Sequence, residues 1–338
     1  MSGMTTKSPI VTLTPAPTLD RTYTVTDLHS GAVNRADSVG EELAGKGINV
    51  ARALHLAGIP APAVVPIGNA EKGILERTGS KNFLVPLWID GTIRVSTTIL
   101  ERGGTTTKVN EAPKPLSSKE WQQVIELTEK TVLENDAKWL VVAGALPIDE
   151  STGTFVDLHP IFERMEKLGV RVVLDTSGEP LAYWVRQGEA AILKPNAEEL
   201  ASAVGRDLLT NGDVIEAARE LCSHGVECVL ASLGPDGMLA VTKSRAWATR
   251  TSPVKVINTV GAGDATLAGF LAAITNNPIA AGEKDFGVEF NVPVGAMAAV
   301  QWGAVKVSQP TSGLDHIDNL PEVFLTEDVD LAAPLKEP

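Results

Sequence analysis

From about residue 117 onward, short apolar strands alternate with amphipathic helices, and this rhythm limits the possible folds more than any other feature. The predicted strands at 139–143, 170–174 and 226–231 are almost wholly apolar. Such strands are typical of a parallel sheet that helices cover on both faces. The sequence therefore predicts an α/β fold, a three-layer α/β/α domain with a mostly parallel central sheet.

Two β-rich segments, 21–43 and 90–112, do not follow this rhythm. Their β-branched residues predict strands, with a hairpin across Gly103 and Gly104. We expect them to form a small sheet beside the main layer, placed as a lid over a site. The main domain is predicted to span 10–320, followed by an acidic, proline-containing tail at 321–338.

The charge balance excludes two classes of partner. The chain has 42 acidic and 29 basic side chains, a net charge of −13, with no basic cluster, so neither nucleic acid nor an anionic membrane is expected to bind. Cys222 and Cys228 are the two cysteines and lack partners at metal-ligand spacing. With no apolar leader in residues 1–9, these features predict a cytoplasmic protein.

The segment with the strongest chemical signal is Gly261-Ala262-Gly263, which leads into an apolar helix. Backbone N–H groups at such a helix start form a pocket for phosphate. Asp264 stands in the first turn, where a carboxylate can accept a proton from an attacking hydroxyl. The alternative is that Asp264 only caps the helix. A dinucleotide fingerprint is excluded because its third glycine would fall at Thr266.

A second candidate site begins after the apolar strand that ends before Lys194. Asn196 and Glu199 are three residues apart, so they share one face of the following helix. Their oxygens are the hard ligands that hydrated Mg²⁺ prefers. The alternative is a helix cap with a solvated glutamate, which is common at any helix start.

In this order, the segments 44–54, 194–199 and 258–271 resemble the ribokinase-like sugar kinases, the phosphofructokinase-B family. The resemblance covers roughly residues 10 to 314. Further segments look like the hexose-phosphate branch, namely 1-phosphofructokinase, tagatose-6-phosphate kinase and the minor 6-phosphofructokinase: 13–21, 31–35, 92–94 and 108–111.

The resemblance implies a role for each matching position. Asp264 is implied as the catalytic base, with Gly261, Ala262 and Gly263 as the anion hole, and Asn196 and Glu199 are implied to order Mg²⁺ through water. The residues implied to bind the sugar phosphate are Asp20, Arg35, Gly45, Lys46, Asn49, Arg94 and Lys108, of which Arg35, Arg94 and Lys108 hold its phosphate. The residues implied to bind ATP are Lys194, Ser232, Gly234, Gly237 and Thr259.

Three departures from the family pattern concern the substrate. Ala44 replaces the first glycine of a usual pair, 111–113 differs from the usual Glu-Pro-Gly, and Ala143 and Ala145 replace two serines. The predicted reaction is ATP-dependent phosphorylation of a ketohexose phosphate, with fructose 1-phosphate ahead of tagatose 6-phosphate and fructose 6-phosphate. The alternatives are a kinase for an unphosphorylated sugar and a non-catalytic sugar-phosphate-binding regulator. The resemblance also implies a homodimer formed through the lid.

Overall fold

The computed structural model of the chain describes residues 7–77, 82–276, 291–311 and 313–336. The strands in these segments are β1 Ile10–Leu13, β2 Thr18–Val25, β3 Ser38–Ala44, β4 Ala63–Gly68, β5 Leu84–Ile89, β6 Arg94–Glu101, β7 Thr106–Asn110, β8 Trp139–Ala143, β9 Arg171–Asp175, β10 Ile192–Leu193, β11 Cys228–Ser232, β12 Met238–Val241, β13 Ala246–Thr251 and β14 Val323–Thr326. The helices are α1 Lys46–Leu56, α2 Lys72–Arg77, α3 Ser118–Asn135, α4 His159–Leu168, α5 Gly178–Gln187, α6 Ala197–Val204, α7 Asn211–Ser223, α8 Ala262–Asn276 and α9 Val292–Val307.

Ten strands form the main sheet, and seven of them are parallel, in the order β5-β4-β1-β8-β9-β10-β11. Strands β12, β13 and β14 extend the sheet in antiparallel fashion. All five residues of β8 are buried, as expected for a strand covered on both faces. The predicted mostly parallel sheet is confirmed.

Helices cover both faces of this sheet, and the side chains of β8 show the division. Leu140 and Val142 belong to a hydrophobic cluster with α3 to α7. Trp139 and Val141 point the other way, into a second cluster with α1, α8 and α9. Because successive side chains of a strand alternate between faces, the fully apolar strand supplies both cores. The three-layer α/β/α architecture is therefore confirmed.

The two β-rich segments form a separate four-stranded sheet in the order β3-β2-β6-β7. β2 and β6 are parallel, whereas β6 and β7 form the predicted hairpin across Gly103 and Gly104. At this turn the Gly104 N–H donates to the Glu101 carbonyl at 2.9 Å. We call these four strands the small sheet; its role as a lid remains a prediction.

The C-terminal segment differs from the predicted tail, because β14 pairs with β13 at the edge of the main sheet. Val323 and Leu325 pack against the core that contains α9, whereas Phe324 is exposed. Further along, the Lys336 ammonium lies 2.6 Å from the Asp236 carboxylate. The alternation of partly buried and exposed side chains in β14 extends over only four residues within an acidic stretch. It is too short for the sequence pattern to distinguish a strand from a tail.

In the part of the chain that the structure describes, none of the helices is both long and apolar enough to cross a membrane.

Candidate active site

The Gly-Ala-Gly turn lies at the start of α8. Gly261 has a φ of 79°, a left-handed backbone conformation that glycine adopts without steric cost. The Ala262 N–H donates to the Thr259 carbonyl at 3.2 Å, so in this structure it is turned into the loop. The N–H groups of Gly263 and Asp264 follow in the first turn, where a helix leaves its N–H groups without intrahelical partners. The positive end of the α8 dipole therefore lies at the Gly-Ala-Gly turn.

Asp264 is buried, with 7% of its surface exposed. Burial, together with the charge of Asp175, raises the pKa of Asp264 to about 6. Its Oδ2 accepts a hydrogen bond of 2.7 Å from Nδ2 of Asn49. A buried carboxyl whose pKa lies near the working pH suits a general base better than a solvent-exposed helix cap.

Asn49 reaches Asp264 because α1 begins very close to the end of β1. A Cβ atom on Gly47 would lie 2.6 Å from the Thr14 hydroxyl oxygen, so only glycine fits there. Arg52, one turn further along α1, lies 3.4 Å from the Asn49 side-chain oxygen. This contact orients the Asn49 amide with its nitrogen toward Asp264.

A second buried carboxylate, Asp175, lies at the carboxyl end of β9 and joins two lysines. Lys46 Nζ lies 2.7 Å from Asp175 Oδ1, and Lys194 Nζ lies 3.5 Å from Oδ2. Burial alone would raise the pKa of Asp175, but the two ammonium groups lower it below its ordinary value. Burial likewise opposes the charge of Lys46, yet the Asp175 carboxylate raises the pKa of Lys46. Lys46 is thus held as a cation beside this buried carboxylate.

Lys194 also lies beside the Gly-Ala-Gly turn. A Cβ atom on Gly263 would be 3.0 Å from Lys194 Nζ, so a larger residue would crowd the ammonium group. The charge of Lys194 acts on Asp264 as well. The structure therefore brings the predicted base, the predicted anion hole and one predicted ATP-binding lysine together at one edge of the sheet.

Sequence reasoning did not identify Asp175, although a usable signal was present. Asp175 ends an apolar parallel strand, and side chains at this edge of an α/β sheet are the ones that ligands meet. Its contact with Lys46 could not be predicted from the sequence pattern, because Lys46 is 129 residues away along the chain.

At the small sheet, Asp20 of β2 lies among three cations. Thr18 donates to its carboxylate at 2.6 Å. Burial raises the pKa of Asp20, while the charges of Lys108, Arg94 and Arg52 act to lower it. Asp20, Arg94 and Lys108, all predicted to bind substrate, therefore lie in one region of the structure.

Arg94 is held partly by backbone. Its Nη2 donates to the Ala16 carbonyl at 3.1 Å, and its buried Nε has no hydrogen-bond partner among the described residues. Arg35, by contrast, lies exposed between β2 and β3. Within the described segments it makes no hydrogen bond or ion pair, so the predicted convergence of Arg35 and Arg94 is not formed in this structure.

Asn196 and Glu199 form a reciprocal cap at the start of α6. Asn196 Oδ1 accepts from the Glu199 N–H at 2.7 Å, and Glu199 Oε2 accepts from the Asn196 N–H at 2.9 Å. This is the geometry of the capping alternative. The charge of Glu199 nevertheless acts on Lys46, so the carboxylate lies near the site. Over the described residues, no cluster of three His, Cys, Asp or Glu side chains could hold a metal ion.

The predicted nucleotide loop follows β11 and touches α6 at its start. Ser232 forms a parallel bridge with Asn196, and its N–H donates to the Pro195 carbonyl at 3.0 Å. Gly234 and Gly237 bound a short 3-10 turn, closed by a 3.2 Å bond from the Gly237 N–H to the Gly234 carbonyl. The loop therefore lies beside the segment that carries Lys194.

Comparison with known proteins agrees with this geometry. The model of the pfkB family carbohydrate kinases matches residues 16–286. A 1-phosphofructokinase of Haloferax volcanii is 34% identical over 78% of this chain and 83% of its own length. The ATP-dependent 6-phosphofructokinase isozyme 2 of Escherichia coli is 31% identical over 87% of this chain and 93% of its own.

The fold comparison agrees as well. The solved structure of the tetrameric inhibited form of phosphofructokinase-2 from Escherichia coli has a TM-score of 0.74 and 28% identity, covering 93% of this chain and 98% of its own. Sequence and fold therefore agree along most of the chain. The protein belongs to the pfkB family of carbohydrate kinases and is an enzyme that phosphorylates a sugar with ATP.

Proposed function

We propose that this protein transfers the γ-phosphoryl group of ATP to a hydroxyl of a ketohexose phosphate. Fructose 1-phosphate, giving fructose 1,6-bisphosphate, ranks ahead of tagatose 6-phosphate and fructose 6-phosphate. The observation that carries this proposal is the buried Asp264, whose pKa is raised to about 6, at the positive end of α8. The names of the Haloferax and Escherichia relatives support a fructose phosphate as the acceptor.

Asp264 acts as the general base in this proposal. The acceptor hydroxyl donates its proton to the carboxylate, whose orientation is set by Asn49 at 2.7 Å. Phosphoryl transfer asks for little covalent chemistry from the protein, so positioning and charge stabilisation supply most of the rate. The first-turn N–H groups of α8 and the Lys194 ammonium lie where they can stabilise the phosphoryl oxygens.

Lys46 and Asp175 complete the charge arrangement. Asp175 compensates both the partly exposed Lys46 and the buried Lys194, so the two ammonium groups are held in place before any ligand arrives. A fixed cation stabilises developing charge without reorganising during the reaction. We assign Lys46 to the acceptor side, because it belongs to the same helix as Asn49, and Lys194 to the ATP side.

Magnesium would be held mainly by the ATP phosphates and by water. Bound there, it would neutralise phosphate charge and align the transferred group. Glu199 fits an outer position, because one of its oxygens caps α6 while its charge is felt at Lys46. Asn196, which caps the same helix, would orient water beside it. Ser232, Gly234, Gly237 and Thr259 are proposed to line the ATP side.

The acceptor's own phosphate is assigned to the small sheet. Arg94 offers a buried Nε without a partner among the described residues, and Lys108 and Asp20 lie in the same region. A guanidinium group matches a phosphate better than it matches a neutral hydroxyl. Arg35 would join this group only if its loop changes position. Gly45 would let the sugar approach the start of α1.

Ala143 and Ala145 stand at the carboxyl end of β8, next to the site. Gly144 between them donates its N–H to the Asp175 carbonyl at 2.9 Å. Serines here would add two hydroxyls near the sugar. Their absence leaves the choice of ketohexose to the small sheet, which is why three sugar phosphates remain in the proposal.

We also propose that the small sheet covers the acceptor and supports a homodimer. Val39 of β3 and Val109 of β7 are more than half exposed, and exposed apolar side chains on a sheet are suited to pairing with a second copy. Light scattering across a concentration range would measure the mass. A monomer at micromolar protein would contradict this part.

A coupled assay for ADP release tests the proposed reaction. With ATP, Mg²⁺ and fructose 1-phosphate, ADP should appear in proportion to acceptor, and the product should carry two phosphates. A protein that binds the sugar phosphate but releases no ADP would instead be the non-catalytic regulator. Omitting the acceptor controls for plain ATP hydrolysis.

A further inference from the structure

Lys306, in the last turn of α9, is a charged residue that the mechanism above does not use. Its side chain is completely buried, which is rare for lysine because an unpaired buried charge is costly. Within the described segments no carboxylate lies at ion-pair distance. Its ammonium donates instead to the backbone carbonyl of Asn258 at 3.3 Å.

The position of Asn258 makes this contact informative, because it begins the loop that leads into the Gly-Ala-Gly turn. The N–H groups of Ile257 and Asn258 donate to the Val307 carbonyl at 2.7 and 3.1 Å. The Asn258 side-chain nitrogen donates to the Pro310 and Thr311 carbonyls at 2.9 and 3.2 Å. The loop is thus tied to the end of α9.

Asn258 also shapes the turn directly. Its side-chain oxygen accepts from the Val260 N–H at 3.0 Å, one residue before Gly261. The backbone N–H and both side-chain polar atoms of Asn258 are therefore hydrogen-bonded within the loop and the end of α9. Its carbonyl oxygen is the acceptor for Lys306. The conformation of the turn depends on this residue.

The surroundings of Lys306 suit a cation. The carbonyls at the end of α9 carry partial negative charge. Burial lowers the pKa of Lys306, while the charges of Asp315 and Asp264 act to raise it. Negative charge therefore reaches the ammonium from the loop after α9 and from the head of α8.

We propose that Lys306 is a positioning residue for phosphoryl transfer. Its ammonium is a tethered internal cation that holds the Asn258 carbonyl and thereby fixes the segment 258–261, so that the first-turn N–H groups of α8 stay aimed at the transferred phosphoryl group. This deepens the proposed function and rests on it for the role of the turn. Because the turn acts on charge that develops in the transition state, loss of Lys306 should lower kcat more than it changes KM.

The test replaces Lys306 by methionine, which keeps the unbranched stem and removes the charge. We expect Lys306→Met to lower kcat by roughly tenfold or more. This is a smaller loss than the one expected when an anion-hole donor itself is removed. The KM of the acceptor should stay within about twofold of the wild-type value. Lys255→Met is the matched control, because Lys255 is an exposed lysine shortly before Asn258 in the chain, and it should behave as wild type. The assay uses the best acceptor in a panel of sugars and sugar phosphates, so the comparison does not depend on which one that is.

Chemical rescue separates a missing cation from a damaged core. In Lys306→Ala the shortened side chain leaves space, and ammonium chloride should restore activity at least severalfold. Tetramethylammonium chloride at equal ionic strength should not, because it is too large. Circular dichroism and thermal melting establish that each variant is folded.

Three results would overturn the inference. One is wild-type kcat in Lys306→Met. Another is a folded Lys306→Ala that ammonium does not improve, and the third is a variant that folds neither with nor without ammonium, since Lys306 would then serve core stability. Wild-type protein that phosphorylates free sugars but no sugar phosphate would contradict the proposed acceptor and leave this test intact.

Discussion

The proposed transfer end and the proposed acceptor-phosphate end of the site are built differently. At the transfer end, Lys46, Asp175, Lys194 and Asp264 lie at the edge of the main sheet, and both carboxylates are buried and paired. At the other end, Lys108 and Arg35 are exposed on the small sheet and its loop. In the proposed function the core preorganises the chemistry, whereas selection of the acceptor depends on exposed side chains.

This difference indicates which changes affect rate and which affect specificity. Fixed, buried charges lower the barrier because they need no reorganisation. Exposed arginines and lysines gain strength only when a ligand removes water from them. Substitutions in the main-sheet cluster should therefore act on kcat, and those in the small sheet on the KM of the acceptor.

The largest effect is expected from Asp264→Asn. Losing the general base should lower kcat by at least ~10²-fold, while ATP and acceptor still bind. Steady-state kinetics and isothermal titration measure the two quantities. If the variant retains more than about a tenth of the wild-type kcat, Asp264 is a helix cap and not the base.

Glu199→Gln should have the next largest effect, on the magnesium requirement. Removing an outer partner of a metal site typically costs roughly 10–100-fold in metal affinity or activity, whereas Gln still accepts the Asn196 N–H in the cap. The measurement is a magnesium titration of activity at fixed ATP. Glu198→Gln, the adjacent carboxylate in the first turn of α6, is the control. Identical titrations for all three proteins would leave Glu199 as a capping residue alone.

A third prediction concerns pH and stability, with Asp264→Asn compared to wild type. Because the folded pKa of Asp264 is raised to about 6, the stability contributed by its neutral form is present below pH ~4 and lost as pH rises through 6. The neutral variant should therefore gain Tm relative to wild type between pH 4 and 7. A difference in Tm that does not change with pH would contradict the buried, raised carboxyl.

The smallest effect separates the two arginines. Arg94→Ala should raise the KM of the phosphorylated acceptor by about tenfold, in line with the loss of a charge-assisted contact, and leave the KM of ATP unchanged. Arg35→Ala should raise the KM of the phosphorylated acceptor less, because Arg35 is exposed and unpaired among the described residues. Equal effects would show that the loop of Arg35 joins Arg94 when the acceptor binds.

The fold was predictable where the signal is local. Five apolar residues in β8, and Ser117 capping α3 with Glu120, can be read from neighbouring positions. The strand β14 was not predictable, because four alternating residues within an acidic stretch carry too little pattern. Asp264 and its turn were likewise predictable from one continuous segment.

The unpredicted parts of the site depend on distant contacts. Asp175 is defined by Lys46 and Lys194, and Lys306 by Asn258, 48 residues away. Periodicity and motif spacing describe neighbours along the chain, and neither reports which strand ends and helix ends meet in space. Asn196 and Glu199 are the opposite case, because they are close in the chain. Their three-residue spacing does bring them together, and in this structure they form the cap of α6.

In the proposed function, a preorganised transfer site serves an acceptor that already carries phosphate. Comparing kcat/KM for fructose, fructose 1-phosphate, fructose 6-phosphate and tagatose 6-phosphate under identical ATP and Mg²⁺ tests it most directly. A phosphorylated sugar should be preferred by at least ~10-fold, the value of about one good charged contact, with fructose 1-phosphate first. Free fructose as the best acceptor would contradict the account, since Arg94 and Lys108 would then have no phosphate to bind.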